Sequence, residues 1–521
     1  MKTKYFNLVL WKTFRCDSLV RRAVALLAMF SFTLNVLANP AGMSVQRGHA
    51  TLSASGSQLT ITAGNGAVLN WQSFNIAAGE TTTFVQPSTG GIVWNRIGGQ
   101  SASQIYGTLN ANGVVILLNS SGFYFGPDSF VSAAGLVVST ANCVPPQNSG
   151  GSWEFNGPPP LASIVNYGTI KIGNGGDCFL IADKIENHGT ITADGGNIGL
   201  AAGQTVTLSE RPDGRGMSMN VTLPQGSVDN YGNLVADGGT IALNAKVVNQ
   251  NGLIQANSVQ NQNGVIELVA DDSVNLGANS QILAQGDSSA GGSAGGNVTI
   301  QAGNTFSDTA GSSIVTAGGA NGGNGGNVEI SAPTIQSLDS AMNATAQAGF
   351  TGGEFLLDPV NIILGTSTAG GAINVNKAFA GFSTILLQAT GNITVNGNTT
   401  WNLSTSTGNT TGTLTMEAGG NITFGNRSLL TDANNWSVTL EAGYSGGAVQ
   451  SGKGSIIFSG NSSLLTGAGD ISLTAGQNIT VGSGHVCTTA GGNINVHALA
   501  GNIDTGSDAR GYNFTSASSA S

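Results

Sequence analysis

Short apolar runs alternating with Thr, Asn or Ser, and ended by Gly or Asn, recur from about residue 164 onward. The segments "IVNYGTIKIGNGGDCFLIADKIENHGTITADGGNIGLAAGQTVTL" (164–208) and "VDNYGNLVADGGTIALNAKVVNQNGLIQANSVQNQNGVIELVADDSVNL" (228–276) say one thing twice: Asn-x-Gly, an apolar strand, Gly-Gly-x-Ile-x-Leu, then a further apolar strand. The Asn-x-Gly turns fall at Asn166, Asn187, Asn230 and Asn251, spaced about 21 residues or twice that. Successive strand side chains point to opposite faces, so alternation sends Ile191, Ile198 and Leu200 inward and their polar neighbours outward. One such strand cannot bury its apolar side alone, whereas coils stacked on coils can. Gly and Asn belong at the corners because both tolerate positive φ. The pattern predicts an all-β chain wound as a parallel β-helix. Rungs of ~20 residues rising ~4.8 Å make the chain after Ala38 a rod on the order of 100 Å long.

The phrase persists as "GGNVTIQAG" (295–303), "GGNVEISA" (325–332), "GGNITFG" (419–425) and "GGNINVHA" (491–498). Gly-rich stretches at 286–296 and 317–327 are expected to protrude as surface loops. "GGEFLLDPVNIIL" (352–364), with Pro359, interrupts the series, so repeats are assigned to residues 161–350 and a second, looser block to 351–521. Residues 143–160, "CVPPQNSGGSWEFNGPPP", are read as a Pro-rich loop over the rod. No helical apolar period of useful length follows residue 38.

The amino terminus differs chemically. Six basic residues, Lys2, Lys4, Lys12, Arg15, Arg21 and Arg22, precede the apolar run "AVALLAMFSFTLNVLA" (23–38), with Val36 and Ala38 where a signal peptidase reads small residues. The uncharged stretch is shorter than the ~20 residues of a spanning helix. A signal peptide over residues 1–38, cleaved after Ala38, is expected. Its loss leaves 11 basic against 26 acidic residues, a formal charge near −15. Such a chain has no footprint for phosphate backbones, so no nucleic-acid partner is expected, and contact with a membrane only through surface association. The 79 glycines and 8% charged residues fit repeated strands and turns better than a disordered or ordinary globular chain.

Candidate chemistry is sparse. Cys143, Cys178 and Cys487 remain after the signal, with no C-x-x-C pair, and the sequence leaves open whether Cys143 and Cys178 are bonded. Asp271 and Asp272 are the adjacent acidic pair, but strand neighbours point to opposite faces and glycoside hydrolysis needs two convergent carboxylates. His49, His188, His485 and His497 lack H-x-x-x-H spacing. "GGANGGNGGNVEI" (318–330) has the glycines of a calcium repeat without its aspartate. No catalytic residue, metal or cofactor is expected, and the chain is read as a non-enzyme.

Residues 40–142 carry the most specific text: "WQSFNI" (71–76), "FVQP" (84–87), "NRI" (95–97), "SQIYGTL" (103–109) and "FYFGP" (123–127), in that order. Together they resemble the amino-terminal secretion domain of the two-partner secretion family, of which filamentous haemagglutinin is a member; the domain is placed at residues 39–142. The resemblance implies a right-handed parallel β-helix begun by a capping secretion domain, recognised by an outer-membrane transporter of the POTRA-barrel class. The long n-region "MKTKYFNLVLWKTFRCDSLVRR" also resembles extended signal peptides of exported adhesins. The signature residues it implies are Trp71, Gln72, Phe74, Asn95, Arg96, Gln104, Gly107, Phe125 and Gly126. The family usually reads Asn-Pro-Asn-Gly in the turn expected to meet the transporter. Here Asn119-Ser120-Ser121-Gly122 keeps the Asn and Gly and loses the fixed φ of proline. The expected function is a secreted surface adhesin whose receptor is a host-cell, bacterial-surface or matrix component. Alternatives are a haem-acquisition or toxin-carrier exoprotein of the same family, or a polysaccharide-active β-helix enzyme. A self-transporting adhesin would end in amphipathic barrel strands; "YNFTSASSAS" is not such a series, so export in trans is expected.

Overall fold

A strand whose copy arrives one turn later pairs with it in parallel, and Ser163–Asn166, Lys184–Asn187 and Ser227–Asn230 do so in register, Asn166 on Asn187 on Asn230. The computed structural model describes residues 39–146, 151–212, 214–260, 262–288 and 292–507; the expected signal peptide, with Ala38, lies outside them. Each coil contributes three strands. The first face is built from the strands just named. The second continues through Thr169–Ile172, Thr190–Thr192 and Asn233–Val235, and the third through Cys178–Ile181, Asn197–Ala201 and the first half of Thr240–Gln250. This is the parallel β-helix that the periodicity predicts.

Inward positions form columns. On the second face Val131, Ile170, Ile191, Leu234, Ile254, Ile282 and Ile314 stack rung upon rung without solvent contact. Each such side chain removed from water is worth ~1.5–3 kcal/mol. The first face carries a polar column in the same style. Asn166 Nδ2 donates to Asn187 Oδ1, Asn187 Nδ2 to Asn230 Oδ1, and Asn230 Nδ2 to Gln250 Oε1, each at 2.8 Å and each residue fully buried. Gln250, not the Asn251 of the sequence spacing, holds the fourth place. A corner asparagine thus turns the chain and also ties its coil to the next.

The third face runs unbroken through fifteen successive parallel pairings, from Ala67–Trp71 to Ile494–Ala498. At ~4.8 Å per step that ladder spans about 70 Å, shorter than the length expected from the sequence. The rungs are longer than expected: Val438 pairs Ile471 and Ile300 pairs Ile330, and two excursions separate Leu136 from Cys178 and Ile198 from Ile241. The third face also crosses residues 352–364 without a break through Gly353–Asp358, while the other two faces are rebuilt on new sheets beginning at Ile362–Gly365 and Thr400–Asn402. The carboxy-terminal block is therefore in register with what precedes it, not loosened. Its regularity is interrupted by a 3-10 turn at Ala369–Gly371, by a short hairpin at Tyr444–Val449, and by the helical turn Leu403–Thr407, capped by Asn402 and closed by Gly408 at φ 79°.

Three other expectations change. Residues 39–142, which do not repeat in sequence, are coils of the same helix, begun by Ser44–Arg47 and Ala50–Ser55, both antiparallel to their neighbours. That antiparallel start covers the first coil's backbone edge. Residues 143–160 are not only a loop. Asn142–Cys143 and Trp153–Asn156 join Gly203–Glu210 and Met217–Pro224 in a four-stranded antiparallel sheet, because Trp153 and Phe155 alternate with polar residues and have an apolar surface to cover. The described residues of the Gly-rich stretches pack on one another instead of protruding. Ser293 donates to Gly322, Gly319 to Ser293 and Gly295 to Asn324, and a Cβ on Gly323 would lie 2.1 Å from Ser293 O. Glycine is required there because the loops themselves stack backbone on backbone.

Replacing Asn187 by Ala should leave the Nδ2 of Asn166 and the Oδ1 of Asn230 buried without each other's bridge. The cost expected for such groups is about 2–4 kcal/mol, read as a lower urea midpoint. A change within ~0.5 kcal/mol would show that the column contributes no stability.

Candidate functional site

The signature residues are mostly interior. Trp71 Nε1 donates to Asn95 Oδ1 at 2.9 Å, and Asn95 Nδ2 reaches Ile116 O of the next rung at 3.2 Å. Trp71 meets Phe74 edge-on at 5.6 Å, Phe74 stacks on Phe84, and Phe125 on Phe123, all buried. Gly107 and Gly126 are spacers: a Cβ on the first would strike Ala77 O and Glu80 O at 2.3 Å, and on the second the Tyr106 ring at 2.4 Å. Gln72 is exposed, Arg96 and Gln104 half-buried, with Arg96 Nη1 3.4 Å from Gln46 Oε1 and Gln104 N bonded to Asn75 Oδ1. The motif therefore encodes how the first coils pack, and leaves few of its side chains for a partner.

The turn Asn119–Gly122 behaves likewise. Asn119 is buried: its Nδ2 donates to Ser101 O at 3.1 Å and Ser103 Oγ at 3.0 Å, and its Oδ1 accepts from Ser121 N at 2.9 Å. Gly122 N closes the turn on Asn119 O, with φ 104° at Gly122, where an added Cβ would meet Ser163 O at 2.7 Å. Ser120, in the place of the family's proline, is the exposed residue of the four. The side-chain anchor and the left-handed glycine hold this turn without proline's ring.

A second layer lies outside the wall that alternation predicts. Outward residues of the third face, Val68, Trp94, Ile116, Val137, Phe179 and Ile181, are as buried as the inward ones, because the antiparallel sheet lies over them with Trp153, Phe155, Val206 and Leu208. Trp94 and Trp153 meet edge-on at 5.3 Å. The signal was present: "VVILL", "GLVV" and "CFLI" are continuous apolar runs, the mark of strands buried on both faces. Cys178 belongs to the inner core and Cys143 to this outer one, so the sheet separates them, and both thiols are free. Burial pushes each up to about 12, which keeps them protonated and poorly nucleophilic at neutral pH.

Asp177 fastens the layer to the rod. Its Oδ1 accepts from Asn197 Nδ2 at 2.7 Å and Asn197 N at 3.2 Å, and its Oδ2 accepts from Met217 N at 2.8 Å. Burial raises its pKa, opposed by those hydrogen bonds and by Arg211. A groove of about 1280 Å³ opens beside it, lined among others by Arg47, Ile92, Val114, Asp177, Arg211 and Met217.

Rings at the outer edge of the first face, three of them following Asn166, Asn187 and Asn230, form a column of exposed and half-buried residues. Tyr106, Tyr124, Tyr167, His188 and Tyr231 follow one another at ring distances of 5.7, 5.9, 4.4 and 4.9 Å, and His188 lies parallel to Tyr167 within 4°. Glu186 Oε2 is 3.4 Å from His188 Nε2. Of the expected acidic pair, Asp271 is exposed and Asp272 accepts from Asn304 Nδ2 at 2.7 Å; both sit at a corner within Val265–Leu276 and do not converge. Among the described residues no three His, Cys, Asp or Glu side chains come close enough to hold a metal, and no helix is long and apolar enough to cross a membrane.

Residues 38–290 match the family model described as the TPS secretion domain, a span that includes the antiparallel layer and the first repeats as well as residues 39–142. A heme/hemopexin-binding protein of Haemophilus influenzae is 30% identical over 253 residues, covering 45% of this chain and 27% of the relative. A second protein of that name and species is 33% identical over 99 residues, 19% of this chain and 11% of the relative. The matches thus span well under half of those relatives. The crystal structure of the HMW1 secretion domain from Haemophilus influenzae aligns with a TM-score of 0.44 at 21% identity, over 89% of this chain and 100% of that one.

Because the folded carboxyl of Asp177 has a raised pKa, the folded chain binds its proton at higher pH than the unfolded chain. The parent should therefore gain stability relative to Asp177→Asn as pH falls from about 7 through the carboxylate range to about 4, seen in paired urea midpoints. A parent that instead loses ground to the variant on acidification would contradict the assignment.

Proposed function

The chain is a two-partner secretion exoprotein with its TPS secretion domain within residues 38–290, and from that premise we propose that it crosses the outer membrane through a cognate POTRA-barrel transporter and acts at the bacterial surface as a non-catalytic adhesive rod. The observation that carries the adhesive reading is the lattice repeated on the third face. Beyond the antiparallel layer one outward column runs Thr299, Glu329, Leu356, Leu386, Thr415, Thr439 and Ser472 on rungs ~4.8 Å apart, and its neighbour runs from Gln301 through Ser331, Glu417 and Glu441 to Thr474, a stacked and mostly polar array. Such a surface suits many weak contacts acting together, for which repetition supplies the avidity. The non-catalytic reading is supported by Asp271 and Asp272, which do not converge on one site, and by buried thiols held protonated.

A second reading is supported by the aromatic column together with the names of the curated relatives. Tyr167, His188 and Tyr231 present a phenol, an imidazole and a phenol on consecutive rungs, and either group is of the kind that ligates haem iron. The residues shared with those relatives make up a minor part of their length, so their ligand is a weaker guide than their route of export.

Co-expression with the cognate transporter should move the chain to the medium or cell surface, and expression alone should retain it in the periplasm; export without the transporter would overturn the route. Secreted rod coated on beads should hold to host cells, bacteria or matrix, and cleavage of acidic or neutral polysaccharides by the purified rod would overturn the non-catalytic reading. Titration with hemin should leave the Soret band of free hemin unchanged if adhesion is the whole function. A saturable Soret shift lost in His188→Ala would instead favour the second reading.

A further inference from the structure

The antiparallel layer ends on a strand that is paired on one side. Met217–Pro224 is the last strand of its sheet, bonded inward to Gly203–Glu210, with Glu210 opposite Met217 and Val206 opposite Val221. The N–H of Met217 turns away from that partner, since it donates to Asp177 Oδ2. By the parity of an antiparallel ladder the N–H and C=O groups of Met219 and Val221 turn the same way. Gln204 O, facing the opposite side of its strand to meet Gly157 N, fits the same parity. The edge therefore offers a run of backbone groups beyond the place where Asp177 takes the first.

The floor beside this edge is prepared for another strand. Met219 seats on Gly199, where a Cβ would approach its Sδ to 2.9 Å. Next along the rod, the outward positions are Ala242 between Thr240 and Asn244, then Val265 and Val269 with Glu267 between them; on the following rung they become Asn297, Thr299 and Gln301. A groove of about 510 Å³ runs between the strand edge and this floor, lined by Phe179, Gly199, Met219, Ala242, Val265 and Glu267. For about one strand's width beyond the layer the floor thus offers Ala242, Val265 and Val269 among Thr240, Asn244 and Glu267, and on the next rung it is wholly polar.

We propose that Met217–Leu223 and this groove form a strand-addition site for an extended segment of a protein partner. The segment carries apolar side chains at alternate positions toward Ala242, Val265 and Val269, and a Lys or Arg opposite Glu267. Main-chain hydrogen bonds to Met219 and Val221 hold it, and the alternate side chains select it. A second copy of this chain does not fit. Joining two such edges about a twofold would drive the other copy's coils into those that continue here from Thr240 to Ile503. The strand contains no charge of its own and its proline, Pro224, stands at its end, so Met217–Leu223 is left without the charges that usually guard a free edge.

The test uses the secreted full chain and a synthetic extended peptide, Thr-Val-Thr-Lys-Thr-Val-Thr, whose alternate positions supply the two apolar side chains and the cation that the floor calls for. Saturable binding measured by fluorescence anisotropy is expected, with slowed amide exchange at Met219 and Val221. Val221→Pro removes one outward N–H without touching the inner ladder and should weaken binding at least about tenfold. Val265→Lys alters only the floor and should do the same. If Val221→Pro also exposes the amides of residues 203–210, the hairpin has been lost and Val265→Lys alone decides. Absence of saturable binding, binding indifferent to Val265→Lys, or a concentration-dependent dimer that buries the Met219 and Val221 amides would overturn the proposal.

Discussion

Every coil of this protein depends on the coil beside it. A strand of three to six residues between glycine or asparagine corners has neither the hydrogen bonds nor the apolar contacts to persist alone; both come from the rung before and the rung after. The aliphatic column from Val131 to Ile314 and the amide column from Asn166 to Gln250 are two forms of that constraint. The first is nondirectional and tolerant of exchange. The second is directional, because a buried amide one register out of place loses both partners at once. The amide column therefore sets register where the aliphatic column supplies stabilisation.

The same dependence explains the amino terminus. A first coil has no predecessor, and antiparallel Ser44–Arg47 and Ala50–Ser55 stand where one would be. The signature residues from Trp71 to Gly126 make the next coils unusually specific: an indole bonded to a buried amide that reaches a third rung, and glycines against which nothing larger fits. Later coils gain free energy only by docking on an ordered one, and these specific first coils supply it.

The outer layer follows a different logic. Its four antiparallel strands come from two excursions, each about a rung long, that leave the third face and return to the first. They cover outward Trp94, Ile116 and Phe179, stiffening the part of the rod matched by the secretion-domain model, and Asp177 ties the hairpin's start to the coil beneath. Where the layer stops, the outward surface changes to Asn297, Thr299 and Gln301, and it stays mostly polar along the carboxy-terminal half, with Leu356 and Leu386 among the polar residues.

Much of this was legible in the residues. Alternation identified Ile191, Ile198 and Leu200 as inward, Gly and Asn marked the corners, and the ordered phrases of residues 71–127 pointed to the secretion domain, because each is a local consequence of side-chain period, backbone φ or turn chemistry. The Pro-rich loop, the protruding glycines and the looser second block were misread because their outcome depends on what lies across a rung. Trp153 and Phe155 become a strand only over Trp94 and Phe179, and Gly323 is needed only because Ser293 stacks beneath it. His188 enters an aromatic column only because two rungs of unequal length bring Tyr167 and Tyr231 to either side. Local period determined the wall of the rod; the lengths of the rungs, summed along the chain, decided which distant residues meet on its surface.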